Sequence, residues 1–482
     1  MASISSLGVG SKLDLTGLLD QLATAEKQPL LALNARAASY TTKLSAYGKL
    51  QGAVGAFQTA AAKLSSLDFF QGVKVSSSFT TVVTASAASN AVVGSHAINI
   101  TQLAQAQTLA SQGQASATTT IGSGAATISI GFGTFVPSVV DAGTGLPTTP
   151  SFTVNPDKKP ASIAIAADSS LEDIRDAVNA ANAGVSASIV NDGSGTPYRL
   201  VLVSSDTGEA SSMKISVSGN TALGTLLDHN PVSPQNMTET AAAKDAKLTV
   251  DGLAVTSATN TVKESMQGVT LTLVKPGDST LTVSRDTASM TSAINAFVTA
   301  YNSLLSTGKE LTSYDATTNK GAALMGDSTL RNLQVSLRQA LTSPQSGAPG
   351  DLTMLSKIGV SFQKDGTLAV DATKLETALN SNLDGVAKLF AGTATDKAGY
   401  GKQLSALALS FTSSGGPLTA AANGVTTTLK QLEDQYDAME TRVNATVERY
   451  RKQFTQLDIM MSSMNSTSNY LTAQFDAMNA NK

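Results

Sequence analysis

The chain has no cysteine, no tryptophan and only two histidines, His96 and His229. Without cysteine there is neither a disulfide scaffold nor a thiolate metal site, and two histidines cannot build a His-rich metal centre. Charge is scarce too. Asp, Glu, Lys and Arg make up 14% of the residues, against roughly 25% in an ordinary soluble protein. The formal net charge is −3, so there is no basic footprint for nucleic acid or an anionic membrane surface. No apolar run approaches the ~20 residues of a membrane-spanning helix. Met1 to Asp14 lack the basic start, apolar run and cleavage site of a secretory leader, so an uncleaved N-terminus is expected.

Enzyme motifs are missing as well. There is no Gly-x-Ser-x-Gly elbow and no Gly-x-x-x-x-Gly-Lys-Ser/Thr loop. Gly8-Val9-Gly10-Ser11-Lys12 has the residue types of a phosphate loop without its spacing, and reads as a flexible tail. Gly131-Phe132-Gly133 lacks the third glycine of a dinucleotide site. Asp192 to Gly195 is too poor in carboxylates for a calcium loop and reads as a turn. Glu172, Asp173 and Asp176 cluster at a helix start, where the dipole favours them. His96 lies in a strand-like run and His229 in a polar loop, and both read as surface or structural. A two-carboxylate glycosidase needs no local motif and is the enzyme reading that survives. No enzyme activity, metal or cofactor is expected.

What the chain does have is length and pattern. Its 482 residues suggest three or four domains at about 150 residues each. Near the C-terminus an apolar residue recurs every seven positions: Leu429, Tyr436, Val443, Tyr450, Leu457, Met464, Leu471 and Met478. A second row runs Leu432, Met439, Val447, Phe454, Met461 and Phe475, drifting as a straight 3.6-residue helix drifts against a strict seven. With no Gly or Pro in the segment, this reads as one long amphipathic helix that needs a partner.

The N-terminus offers that partner. Leu15, Leu18, Leu19 and Leu22 make a first helical stripe, which Pro29 is expected to end or kink. A second stripe runs through Leu33, Ala37, Tyr40, Leu44, Tyr47, Val54, Phe57, Ala61 and Leu64. From Val73 onward short strands alternate with Ser/Thr/Gly turns. Residues 111–160 carry no clear pattern beyond short β-like runs such as Ala126 to Phe132. The next stretch predicts a strand at Ser162 to Ala166 and a capping box of Ser169 with Glu172. A helix through Leu171 and Val178 follows, with Gly184 at its C-cap, and then a hairpin of Val185–Val190 with Tyr198–Val203. Pro231 to Thr240 reads as a linker. Asp251-Gly252 and Asp365-Gly366 predict hairpin turns, and Asp327 and Asp371 predict helix starts.

Several of these segments resemble the flagellar hook-associated protein 2 family. At the N-terminus they are Glu26-Lys27-Gln28-Pro29-Leu30, Leu44-Ser45-Ala46-Tyr47, and the run from Ile100 to Gln107. Leu171-Glu172-Asp173-Ile174 with Ala180 to Val185 and Tyr198-Arg199-Leu200 is similar to the flagellin hook IN motif, over 162–204. Ile358-Gly359-Val360, Asp365 to Leu368 and Leu389-Phe390 resemble the family's C-terminal region.

The resemblance implies an α+β multidomain fold: paired, coiled-coil-like terminal helices, a mixed helical domain and two inserted β-rich head domains. The expected division is a helical leg (1–40 with 430–482), a mixed helical domain (41–74 with 288–429), a head domain (75–112 with 240–287) and an outer head (113–239). It implies a filament cap: a small ring, a pentamer by family expectation, at the distal tip of the flagellum. That ring would retain exported flagellin and promote its folding and polymerisation. Implied partners are further copies of itself, flagellin, hook–filament junction proteins, and a cytoplasmic export chaperone on the C-terminal helix. Type III export would suit the missing leader and missing cysteine, and no membrane insertion is expected. The assembly and chaperone surface is expected at Leu15, Leu18, Leu22, Tyr450, Phe454, Leu457, Met461, Met464, Leu471 and Phe475. The alternatives are another flagellar axial protein, such as one of the hook–filament junction, or a secreted adhesin whose outer head binds glycans.

Overall fold

The computed structural model describes residues 7–9, 11–140, 143, 146–345, 352–392 and 399–480. Two helices open the chain, α1 (Leu15–Lys63) and α2 (Leu67–Phe70). Strands follow: β1 (Val73–Ser77), β2 (Val83–Ala87), β3 (Gly94–Gln102), β4 (Thr108–Ala110), β5 (Ala126–Val136), β6 (Ser151–Val154) and β7 (Ala161–Ile165). Then come α3 (Leu171–Ala180), β8 (Val185–Asn191), β9 (Tyr198–Ser204), β10 (Ser212–Ser218) and α4 (Thr221–Leu227). The β-rich part ends with β11 (Thr238–Ala241), β12 (Ala246–Val250), β13 (Leu253–Ser257), β14 (Thr261–Met266), β15 (Val269–Leu273) and β16 (Gly277–Arg285). Helix α5 (Thr287–Thr312) and the short pair β17 (Tyr314–Asp315) and β18 (Lys320–Gly321) lead to α6 (Ser328–Thr342). A second small hairpin, β19 (Val360–Phe362) with β20 (Leu368–Val370), precedes α7 (Ala372–Ser381), α8 (Leu383–Ala391), α9 (Tyr400–Thr412) and α10 (Pro417–Ala480). The chain is an α+β multidomain protein of two compact units, residues 71–286 forming one and the two ends together the other.

The helical unit packs around Leu50, Val54, Phe57, Phe70, Phe297, Phe390, Tyr400, Leu404 and Leu418, all fully buried. Phe57 and Phe297 sit 5.5 Å apart, and Phe297 meets Phe390 edge-on at 6.1 Å. Tilted and edge-on ring pairs of this kind add to the burial of the rings themselves. Local signals place the elements. Asp327 caps α6 through the Leu330 amide, and Asp371 caps α7 through that of Lys374. Pro417 is the first residue of α10, where a missing N–H costs nothing. Pro29 behaves otherwise than expected: α1 runs through it without ending. Pro29 and Ala25, whose carbonyl loses its helical partner, are both exposed, so water can take the freed acceptor.

The inserted unit has two β cores. In the first, a five-stranded antiparallel sheet (β1-β16-β3-β12-β13) and a three-stranded one (β14-β15-β2) pack around Ile98, Ile100, Leu248, Leu271 and Leu281. The β12–β13 turn places Asp251 and Gly252 at φ 51° and 85°, the pair of positive φ values that a two-residue type I′ hairpin demands. In the second, β10-β5-β6 with β7 on β5 faces β11-β4-β9-β8 around Leu109, Ile130, Leu171, Ile174 and Leu202. The 111–160 stretch supplies β5, which contains the expected β-like run Ala126 to Phe132, and β6, for which the sequence showed no pattern; residues 141, 142, 144 and 145 lie outside the described residues.

Three expectations shift in this unit. The capping box is Ser170 with Asp173, one place later than Ser169 with Glu172. The C-cap of α3 is Ala181, and the left-handed positions Asn182 and Gly184 come after it. Residues Pro231 to Thr240 are no free linker. Asn230 N–H donates to the Pro234 carbonyl, Asn236 N–H to that of Asp228, and β11 pairs with β4.

Candidate assembly surface on the terminal helices

α1 and α10 lie side by side and antiparallel. Ser11 meets Asp458, the Tyr450 hydroxyl donates to Glu26 at 3.3 Å, and Leu33 shares a groove with Tyr436. One number rises as the other falls. Asp14 caps α1 by accepting from the Gly17 amide at 2.8 Å. Ahead of it, the Ser11 amide and hydroxyl both donate to Asp458 Oδ1, at 2.7 and 2.5 Å. Ser11 is buried, so this part of the expected flexible tail is strapped onto α10. Hydrogen bonds to an ionised carboxylate are shorter and stronger than neutral ones.

The seam closes over Leu15, Leu19 and Leu30 on α1 and over Leu432 and Val443 on α10. Between Leu33, Ala37, Leu429, Leu432 and Tyr436 a groove of about 610 Å³ stays open, rimmed by Lys430, Glu433 and Asp437.

α10 outruns its partner. The helix has 64 residues, ~96 Å at 1.5 Å per residue, and Ser11 meets it at Asp458. The 22 residues from Ile459 to Ala480 extend ~33 Å further. Along that stretch Ile459, Met460, Met464, Tyr470, Leu471, Phe475 and Met478 are all exposed. Asp476 is its one charged residue.

The ten residues expected at the site therefore divide. Leu15 is buried in the hairpin, Leu22, Tyr450 and Phe454 are partly covered, and Leu18 faces solvent. Met461 is half-buried, whereas Leu457, Met464, Leu471 and Phe475 are open, Phe475 at 60%. The structure brings Leu15, Leu22, Tyr450 and Phe454 onto the helical hairpin and leaves Met464, Leu471 and Phe475 beyond it. Ser11, Glu26 and Asp458 were not among the residues expected at the site. Ser11 and Asp458 are 447 positions apart, and neither stands in a local motif that points to the other.

The surface offers packing and hydrogen bonding. Among the described residues no helix is long and apolar enough to cross a membrane, and no group of three or more His, Asp or Glu residues could hold a metal ion.

Comparison with known proteins agrees along the whole chain. The family model for the flagellar hook-associated protein 2 N-terminus matches residues 11–107, that for its C-terminus 243–466, and that for the flagellin hook IN motif 151–206. Flagellar hook-associated protein 2 of Escherichia coli strain K12 is 40% identical over 491 residues, covering 99% of each chain. That of Salmonella typhimurium strain LT2 is 38% identical over 493 residues, covering 99% of this chain and all of its own. Among solved structures, the D1-D2-D3 domains of the flagellar cap protein FliD from Escherichia coli superpose with a TM-score of 0.65 at 37% identity, over 79% of this chain and 99% of that one. With both terminal regions, the inserted motif and the fold all matched, the chain belongs to the flagellar hook-associated protein 2 family, the flagellar cap proteins.

Proposed function

We propose that this chain caps the growing flagellar filament at its distal tip, as a small ring that retains exported flagellin and promotes its folding and polymerisation. The observation that carries the reading is the far end of α10, where Met464, Leu471, Phe475 and Met478 are apolar side chains exposed to solvent on a nearly uncharged stretch of helix. Covering each such side chain is worth roughly 1.5–3 kcal/mol, so the helix end gains by docking against another helix. Residues 459–480 serve twice in this reading, first held by an export chaperone in the cytoplasm and later packed in the assembled cap. Met460, Met461 and Met464 suit two successive partners because methionine adapts its shape to each.

The division into a leg (1–40 with 430–482), a mixed helical domain (41–74 with 288–429), a head (75–112 with 240–287) and an outer head (113–239) belongs to the same proposal. The separate apolar cores support it. Contacts with hook–filament junction proteins at the base, a ring of identical subunits, export without a cleaved leader, and the absence of catalysis are further parts of the same proposal.

Filament growth in a strain lacking the gene tests the cap. Flagellin lost to the medium, with filaments restored by added purified protein, is the expected result, and normal filaments would remove the reading. Amide exchange on the free monomer tests the helix end separately. Fast exchange beyond Asp458 is expected, and strong protection across Leu457 to Phe475 would sink the docking role.

A further inference from the structure

We propose that the second β core carries an acid-responsive latch: neutral His229 holds the 228–237 segment on the free edge of β10, and proton uptake releases it. This segment joins the two sheets. His229 exchanges both backbone hydrogen bonds with Ile215 of β10, at 2.7 and 2.9 Å, and the chain then runs into β11 of the facing sheet. The residue is 3% exposed. The ring lies beside the Met237 backbone, and Nδ1 is buried with no hydrogen-bond partner among the described residues.

As an acceptor, a bare Nδ1 already carries a desolvation penalty, but a neutral one. As an N–H in the imidazolium it would be a buried donor and a buried charge with nothing to bond, which is expensive. Opening the segment hydrates it.

The surrounding charges do little to change this. Glu239 on β11 and the Met237 backbone favour the charged ring, but burial outweighs both and holds the group below its ordinary range. The Glu239 carboxylate is occupied by Gln107 Nε2 at 2.6 Å, and Gln107 Oε1 takes the Met213 amide. Asp228 Oδ1 accepts from the Val217 amide, and Lys214 on β10 lies over the Phe152 ring. Across the core, Arg175 pairs with Asp176 and Arg199 with Asp192. α4 and β5 carry no ionisable side chain.

The sign follows from linkage. The folded state resists the proton and the open state takes it at about pH 6.5. The closed form is therefore fully favoured above that pH and loses ground as pH falls below it. If the closed form binds the proton weakly or not at all, the opening constant rises ~5- to 30-fold between pH 7.5 and 5.0.

Amide exchange on the full chain, corrected for the intrinsic pH dependence of exchange, reads this at Ile215, His229 and Asn236, with α5 as the reference. The expected result is a loss of protection of that size at these amides alone in the native chain, and no loss in His229→Gln. Unchanged protection, or an equal loss in His229→Gln, overturns the latch. Should His229→Gln fail to fold, the ring itself decides. With His96→Gln, His229 is the sole histidine, and its C2–H proton resonance can be followed. Titration below 6.5 supports the latch, and titration at or above 6.5 overturns it.

Discussion

Single side chains set the ends and turns of this protein, and two of them lead to measurable effects. Ser11 ties the start of the described chain to α10 through two hydrogen bonds to one carboxylate. Ser11→Ala removes one of them and should cost about 1–2 kcal/mol locally. Amide exchange of Gly17 to Leu22 should speed up while α5 stays unchanged, and equal rates in both proteins would show that the strap does not hold the helix. Asp192 shows how a turn records its bonds in its acidity. Hydrogen bonds from Ser194 and from the Arg199 guanidinium hold its carboxyl down to about 2. The folded value lies below the ~3.9 of a free aspartate, so the contribution to the β8–β9 hairpin is complete above about pH 4 and fades as pH falls towards 2. Carbon-detected titration of Asp192 should show the low value, and Arg199→Gln should raise it.

At the scale of elements, the same residue type does opposite work on two helices. Phe57 on α1 is fully buried against Phe297 and Tyr301, whereas Phe475 on α10 is open to solvent. Phe57→Ala should destabilise the helical unit by about 3–5 kcal/mol, the usual cost of an emptied aromatic site. Phe475→Ala should change the monomer by less than about 0.5 kcal/mol and yet impair filament capping. Urea melts of the two variants beside a flagellin-retention assay separate a core residue from an assembly residue. Large losses from Phe475→Ala in the monomer would mean that the helix end packs within its own chain. Much of this scale was legible in sequence. Asp327, Asp371 and the Asp251-Gly252 pair mark their elements by local chemistry, and the seven-residue rows announce α10. The exceptions are instructive. Pro29 sits inside a continuous α1, because a long helix packed along α10 outweighs one lost hydrogen bond. The strand at Ser151 was obscured by the turn residues around it, whereas the run from Ala126 was legible as β-like over its first half.

For the whole molecule, the route of the chain makes its own prediction. The inserted unit leaves and returns at neighbouring points: the Asp286 amide donates to the Gly72 carbonyl at 3.0 Å. It also has its own apolar cores. A fragment of residues 71–286 should therefore fold alone, with the amide-exchange pattern it shows in the full chain. A fragment that stays unfolded would show that the insertion depends on the helical unit.

Sequence alone determined whatever rests on neighbours along the chain. That covers the amphipathic rows, the caps, the two-residue turns, and the exclusion of disulfides and thiolate or His-rich metal sites. Those features follow from backbone preference and side-chain chemistry within a few residues. Tertiary structure decided which long-range partners meet. It set Ser11 on Asp458, β3 between β16 and β12, His229 inside a core, and the end of the α1–α10 seam near Asp458, which leaves Met464 to Met478 uncovered. Such pairings depend on the closing of loops hundreds of residues long, and no local pattern encodes where a loop will close.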